Sequence, residues 1–314
     1  MLATGKVERA RAGGLGTVKQ AMTSPAITAD KGDRLDAVLK RMAKHGITKM
    51  PVLDAGKLVG ICTDGLIADK LGGVRAKGLL PGHLHAAKVM SRDFEPVALD
   101  TPLDALLPKV GLPGLTMLPV IERGELLGVH TKSDLLPLVT SEASVATVMR
   151  TGAGAVRTVA PNDRLIHARR LLLEHDIQRL PVLDDGQVVG IIAEWEIANA
   201  FARFLRETDA HHQKHGVREL AVEEWMVGHV VAVGPDHTAR EAARRMVDRG
   251  VGGLPVLHDD GHLLGIVTRT DLIRTLPAAG TVPPAATNGN GMVPRKPLTR
   301  RIQGKGRGTV SRPR

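Results

Sequence analysis

An apolar–Pro–Val step recurs four times along the 314-residue chain, at Met50-Pro51-Val52, Leu118-Pro119-Val120, Leu180-Pro181-Val182 and Leu254-Pro255-Val256. About nine residues after each step comes a glycine behind an apolar residue, at Gly60, Gly128, Gly190 and Gly265, which reads as a turn. Upstream of each step stands a methionine: Met22, Met90, Met149 and Met226. Three landmarks repeated in fixed order mean one supersecondary unit used four times, and that repeat constrains the fold before any single residue is interpreted.

The period of the apolar residues gives the elements of one unit. In the fourth, Val230-Val231-Ala232-Val233 reads as a short strand. Thr238 followed by Glu241 is a capping box opening a helix, and Ala239, Ala242, Ala243 and Met246 form its apolar stripe. Gly250 ends that helix. Two strands follow, 254–257 and 263–267, joined by His258-Asp259-Asp260-Gly261, and a second helix starts at Thr268. Repeat one shows the same stripe in Leu35, Val38, Leu39 and Met42, closed by Gly46. Each unit is β-α-β-β-α, an α/β (α+β) fold too small to bury its own sheet face, so the repeats must pair.

Two Trp, three Phe and no Tyr leave the core to aliphatic side chains. The single Cys62 excludes an internal disulfide and fits a reducing compartment. The longest charge-free stretch of the repeats, 110–121, is far short of the ~20 apolar residues of a membrane span and holds two prolines. The first residues, MLATGKVERARAGG, lack the apolar run of a signal peptide. A soluble cytoplasmic protein without a membrane partner is expected. The net charge of +10 is uneven: residues 277–314 hold eight basic residues and no acidic one, so the rest carries only +2.

The order of strand, helix, Leu-Pro-Val, Gly-Ile-Val-Thr-Arg-Thr-Asp and helix resembles the cystathionine-β-synthase (CBS) domain. The resemblance covers 16–72, 86–140, 144–204 and 222–277. It implies two Bateman modules, 16–140 and 144–277, arranged as a disc; an N-terminal extension, 1–15, precedes them, and composition makes 278–314 a basic disordered tail. The layout is similar to the gamma subunit of AMP-activated protein kinase. Such modules bind AMP, ADP, ATP or S-adenosylmethionine as regulatory ligands and need no obligatory cofactor. A homodimer is compatible with the pattern.

A helix N-terminus offers free N–H groups and a partial positive charge to phosphate. The resemblance therefore implies that Thr131 and Thr268 help hold phosphate, while Asp134 and Asp271 accept from the ribose hydroxyls. The same Thr-x-x-Asp spacing is also a capping box that needs no ligand. The odd repeats differ, carrying Leu66 or Glu196 at the ribose position. Just before the apolar–Pro step the alternation reverses, with Lys49 and Arg179 in the odd repeats and Met117 and Gly253 in the even ones. One nucleotide site per pair is expected, the cations reaching phosphate across the pair. Cations favour phosphate over the sulfonium of S-adenosylmethionine. Val97, Val231 and the Pro-Val strands would give the adenine aliphatic walls.

Cys62 aligns with His130, Ile192 and Val267 and reads as a buried strand thiol. His83, His85, His211, His212 and His215 lack the spacing of a closed metal site. No nucleophile–base pair, phosphate-cradling loop or paired carboxylates stand outside the repeats, so no catalytic residue is assigned and the chain is not expected to be an enzyme. Arg295, Lys296, Arg300, Arg301, Lys305, Arg307, Arg312 and Arg314 make the tail a polyanion-binding arm, with RNA or the ribosome as the expected partner and DNA or an acidic protein as alternatives. Lacking aromatics, it cannot stack bases.

Overall fold

In a computed structural model, residues 14–73, 80–110, 117–152, 154–208 and 216–277 are described, all within one compact unit. Each repeat is built on one antiparallel hairpin. The four are β2 (Lys49–Asp54) with β3 (Lys57–Thr63), β4 (Leu118–Glu122) with β5 (Glu125–His130), β6 (Arg179–Asp184) with β7 (Gln187–Ala193), and β8 (Gly253–Leu257) with β9 (Leu263–Thr268). The register shifts at the same place in all four, directly after the Pro-Val step. The leading strand pairs parallel to the first hairpin strand through Ala29–Val52, Val97–Val120, Val159–Val182 and Val233–Val256. Only in repeat one is it a strand, β1 (Ala29–Asp30). The run expected over 230–233 pairs through Val233 alone.

The helix between leading strand and hairpin follows the apolar stripe. These helices are α2 (Leu35–His45), α4 (Leu103–Val110), α7 (Leu165–His175) and α9 (Ala239–Arg249). Thr238 and Glu241 close the capping box of α9, and Gly46 and Gly250 end α2 and α9 in the left-handed conformation, where a side chain would be strained. After each hairpin comes a second helix: α3 (Asp64–Leu71), α5 (Lys132–Leu135), α8 (Glu194–Glu207) and α10 (Arg269–Ile273). Two short helices, α1 (Val18–Ala21) and α6 (Val145–Val148), precede Met22 and Met149.

The glycine after each step is not a turn residue, which corrects the sequence reading. Gly60, Gly128, Gly190 and Gly265 each lie inside the second hairpin strand, opposite the Val of the Pro-Val step. They are small because the segment leading another repeat crosses them. Thr23 exchanges two backbone hydrogen bonds with Val129, Ser91 with Ile61, Arg150 with Ile266 and Val227 with Ile191, all of 2.8–3.2 Å. At each crossing the landmark methionine sits on the glycine: a Cβ there would lie 2.5–3.2 Å from the sulfur of Met90 (on Gly60), Met22 (Gly128), Met226 (Gly190) or Met149 (Gly265). Repeats one and two thus exchange their leading segments, and so do three and four.

Apolar packing follows the other partnership. One core joins repeats one and three, with Leu35, Met42, Ile67 and Leu71 against Leu165, Ile197 and Phe201. The other joins two and four, with Leu103, Leu118 and Leu135 against Ala239, Met246 and Leu272. Helices α3 and α8 run side by side in the same direction. Gly65 meets Glu194 at their N-termini, and Gly72 meets Phe201 seven residues on in each. Two helix N-termini, each with a partial positive charge, are therefore neighbours.

Candidate functional site

Every hairpin delivers its second helix N-terminus beside the residue that precedes the apolar–Pro step. Lys49 pairs across the hairpin with Thr63, Arg179 with Ala193 and Gly253 with Thr268. In the even repeats the capping box forms as the spacing demands. Asp134 Oδ2 accepts from the Thr131 N–H at 2.6 Å and from its hydroxyl at 2.9 Å, while Oδ1 accepts from the Thr23 hydroxyl at 2.9 Å. Asp271 Oδ2 accepts from the Thr268 N–H at 2.9 Å and hydroxyl at 2.5 Å. Its Oδ1 accepts from Arg150 Nε at 3.0 Å, in an ion pair that leaves the Asp271 side chain 4% exposed. In repeat three Glu196 takes the capping part, accepting from the Ala193 N–H at 3.1 Å.

The two cations singled out by alternation line one cavity of about 390 Å³, together with Arg269. Repeats one, three and four all contribute walls: Lys49 and Asp64 from the first, Arg179, Ile191, Trp195 and Glu196 from the third, and Val227, His229, Val231, Gly252, Gly253 and Arg269 from the fourth. Thr131, Asp134, Thr268 and Asp271 do not line it. Arg179 crosses from its own repeat to lie on the Gly252–Gly253 backbone. A Cβ on Gly252 would stand 2.5 Å from Arg179 Nη2 and 2.7 Å from Arg269 Cζ. Glycine is required there by the close approach of two guanidinium groups.

The electrostatics of this centre are tense. Lys49 and Arg179 are half-buried in surface area but lie deep among protein atoms, and burial lowers the pKa of both. Burial, then the neighbouring charge of Arg179, brings Arg269 down to about 10. Among the described residues, none of the three has a carboxylate within ion-pair distance, and Arg269 Nε is buried without a hydrogen-bond partner. Carboxyls stand slightly further off. Burial raises Asp64 and Glu196, and burial with the charge of Asp64 pushes Glu194 up to about 8. From repeat two, Lys132 joins the centre, its Nζ donating to the Thr270 hydroxyl at 2.8 Å. Burial, then Lys49, brings it down to about 8. Three cations converge on a cavity whose nearest carboxyls, Asp64 and Glu196 among them, stand beyond ion-pair distance, which leaves it suited to an anion.

Sequence reasoning missed Arg269, Trp195, Asp64 and Glu194. Arg269 stood in the Thr-Arg-Thr-Asp motif where only Thr and Asp were weighed, and the Gly252-Gly253 doublet was the signal of a close approach. Trp195 lines the cavity beside Ile191 and Val231, so its wall there is aromatic as well as aliphatic. Val97 instead pairs with Val120 against the second core. Cys62 is buried, with its thiol pushed up to about 12 by burial. Among the described residues no group of three or more His, Cys, Asp or Glu is placed to hold a metal ion, and no helix is long and apolar enough to cross a membrane. His211, His212, His215 and the eight basic tail residues from Arg295 to Arg314 lie outside the described residues.

The family model for the CBS domain matches residues 18–73, 145–203 and 222–278. Residues 86–140 share the hairpin and capping box without matching it. Protein MJ1225 of Methanocaldococcus jannaschii is 25% identical over 281 residues, covering 82% of this chain and 97% of its own length. Its crystal structure, described as that of a candidate archaeal homologue of g-AMPK, superposes with a TM-score of 0.71 at 20% identity, over 82% of this chain and 99% of that one. An uncharacterized conserved protein of Pyrococcus horikoshii gives a TM-score of 0.52 at 21% identity, over 82% and 98% of the two chains. The L-aspartate semialdehyde sulfurtransferase of M. jannaschii is 30% identical over 118 residues, which is 37% of this chain and only 20% of the enzyme's length.

Proposed function

We propose that this chain, which belongs to the CBS domain family, is a non-catalytic sensor that binds an adenine nucleotide and conveys its presence to a macromolecular partner. The observation that carries this reading is the convergence of Lys49, Arg179 and Arg269 on one cavity without ion-pair partners among the described residues. An anion relieves their mutual repulsion. Trp195, Ile191, Val227 and Val231 supply a flat apolar wall for a base at the same opening. Phosphate on the ligand separates AMP, ADP and ATP from S-adenosylmethionine, whose sulfonium would add a fourth positive charge.

Asp271, just outside the cavity lining, remains the proposed ribose anchor, with a condition set by the geometry, whereas Asp134 belongs to the first pair. Asp271 is closed in by Arg150, so a ribose reaches it only when that guanidinium swings aside or shares the carboxylate. Calorimetric titration of AMP and S-adenosylmethionine into the wild-type chain and Arg179→Ala tests the reading. AMP is expected to bind more tightly than S-adenosylmethionine and to lose affinity in the variant. Equal binding of the two ligands, or no effect of the substitution, would overturn it.

A second reading concerns the tail, whose eight cations and lack of acids favour a polyanion such as RNA or the ribosome. Deletion of residues 281–314 should abolish salt-sensitive RNA retention and leave nucleotide binding intact. Equal retention of both forms at moderate salt would refute the arm.

A further inference from the structure

The two exchanged pairs are not alike inside. The position before the apolar–Pro step is Gly253 in repeat four and Met117 in repeat two. Beside Gly253 lies the Arg179 side chain, 3.0 Å from where a Cβ would stand, and Ile191 is half-buried and lines the cavity together with Val227 and Val231. The matching strand residue of the first pair, Ile61, bridges to Ser91 as Ile191 bridges to Val227. Ile61, however, is 6% exposed, packed in a separate apolar cluster with Met117 at 7% and Val129 at 7%, against which Ala26 and Phe94 also pack. Met117 and Phe94 fill the first pair with apolar side chains, whereas in the second the place beside Gly253 is taken by Arg179, which lines the cavity. The cations follow the same asymmetry. Arg179 lies on Gly252 and Gly253, and Lys49 of the first pair contributes to the cavity of the second.

We propose that the chain binds a single nucleotide, in the cleft of repeats three and four, and that the first pair is plugged by its own Met117 and Phe94. This placement rests on the nucleotide reading above and departs from the one site per pair expected from the sequence. The first pair then acts as a fixed abutment, donating Lys49 to a site it does not itself duplicate. Gly253 is the residue that lets Arg179 lie against the backbone at the cleft. A methionine there would start from a Cβ already 3.0 Å from Arg179 Cδ and would drive that side chain off the backbone it rests on.

The test uses AMP as probe on the full chain, by calorimetry, with 8-azido-AMP photolabelling and peptide mapping as a second measurement that needs no variant. A stoichiometry of one, a label within 187–196 or 225–233, and a loss of about a hundredfold or more in affinity for Gly253→Met support the proposal, that loss being expected when a buried cation is pushed from its partner. Two AMP per chain, or a label within 89–97, overturns the placement while leaving the nucleotide reading standing. No binding of AMP, ADP or ATP by the wild-type chain overturns the reading on which the placement rests.

Discussion

Replacing Gly252 by Ala adds one methyl group and no charge, yet it strikes both guanidinium groups of the cavity. The new Cβ would stand 2.5 Å from Arg179 Nη2, 2.7 Å from Arg269 Cζ and 2.8 Å from Arg269 Nη1. Ordinary contact needs about 3.5–4.0 Å, so each group must retreat by roughly 1 Å. The retreat itself is cheap, because the atoms struck are the ends of flexible side chains. Gly252 is not among the glycines of positive φ, and a compatible Gly→Ala change gains about 0.4–1 kcal/mol through the unfolded chain. Stability should therefore stay within about 1 kcal/mol of wild type. Binding should not. Each charge-assisted hydrogen bond is worth about 1.5–3 kcal/mol, so losing one or two costs roughly 1.5–6 kcal/mol. That is a loss of at least tenfold in affinity at about 1.4 kcal/mol per decade. Urea denaturation and AMP titration on the same preparation read both quantities. Wild-type affinity in a Gly252→Ala chain of unchanged stability would refute the claim that these two cations hold the ligand.

Three further outcomes follow from buried groups and close approaches. His130 is fully buried and, among the described residues, neither ring nitrogen has a hydrogen-bond partner; burial lowers its pKa, with Asp134 opposing. The folded chain refuses a proton that the unfolded chain accepts below about pH 6.5, so stability falls as pH falls through that value. His130→Val, the residue at matching Val267, should stabilise by about 1 kcal/mol at pH 8 and by more at pH 5; an equal gain at both would count against it. Glu194, pushed up to about 8 by burial and Asp64 and also faced by Lys49, Asp176 and Arg179, keeps its proton in the fold while an unfolded glutamate loses it above about pH 4.5. Stability is thus lost as pH rises from about 4.5 to 8, and Glu194→Gln should gain about 1–3 kcal/mol over wild type at pH 8 but almost nothing at pH 4.5 in urea titrations. A pH-independent difference would contradict the assignment. A Cβ on Gly265 would lie 2.5 Å from the Arg150 carbonyl, whereas on Gly190 the three atoms nearest to it all belong to the Met226 side chain. Gly265→Ala should cost about 2–4 kcal/mol by parting two backbone hydrogen bonds, and Gly190→Ala about 1 kcal/mol. Equal denaturation midpoints would refute the crossing of leading segments as the reason for these glycines.

Local chemistry was legible in the sequence because its causes are local. The Thr238–Glu241 box, the α2 and α9 stripes and the caps at Gly46 and Gly250 depend on neighbours within a turn or two. The glycines in the hairpins were found but misread as turns, since the backbone that crosses Gly128 comes from Thr23, more than a hundred residues earlier. The alternation of Lys49, Met117, Arg179 and Gly253 was visible as a pattern. That Lys49 and Arg179 share one cavity was not, because the apolar faces of α3 and α8 would serve equally well against any other repeat. The carboxyls Asp64 and Glu194 escaped notice for the same reason: their neighbourhood exists only once those two helices lie side by side.

A crystal structure of the chain grown with AMP tests the central claim most directly. The account expects one nucleotide, its phosphate within hydrogen-bond distance of Lys49, Arg179 and Arg269 and its base against Trp195 and Val231. A phosphate seated away from these three cations, or a nucleotide bound in the first pair beside Met117, would contradict it.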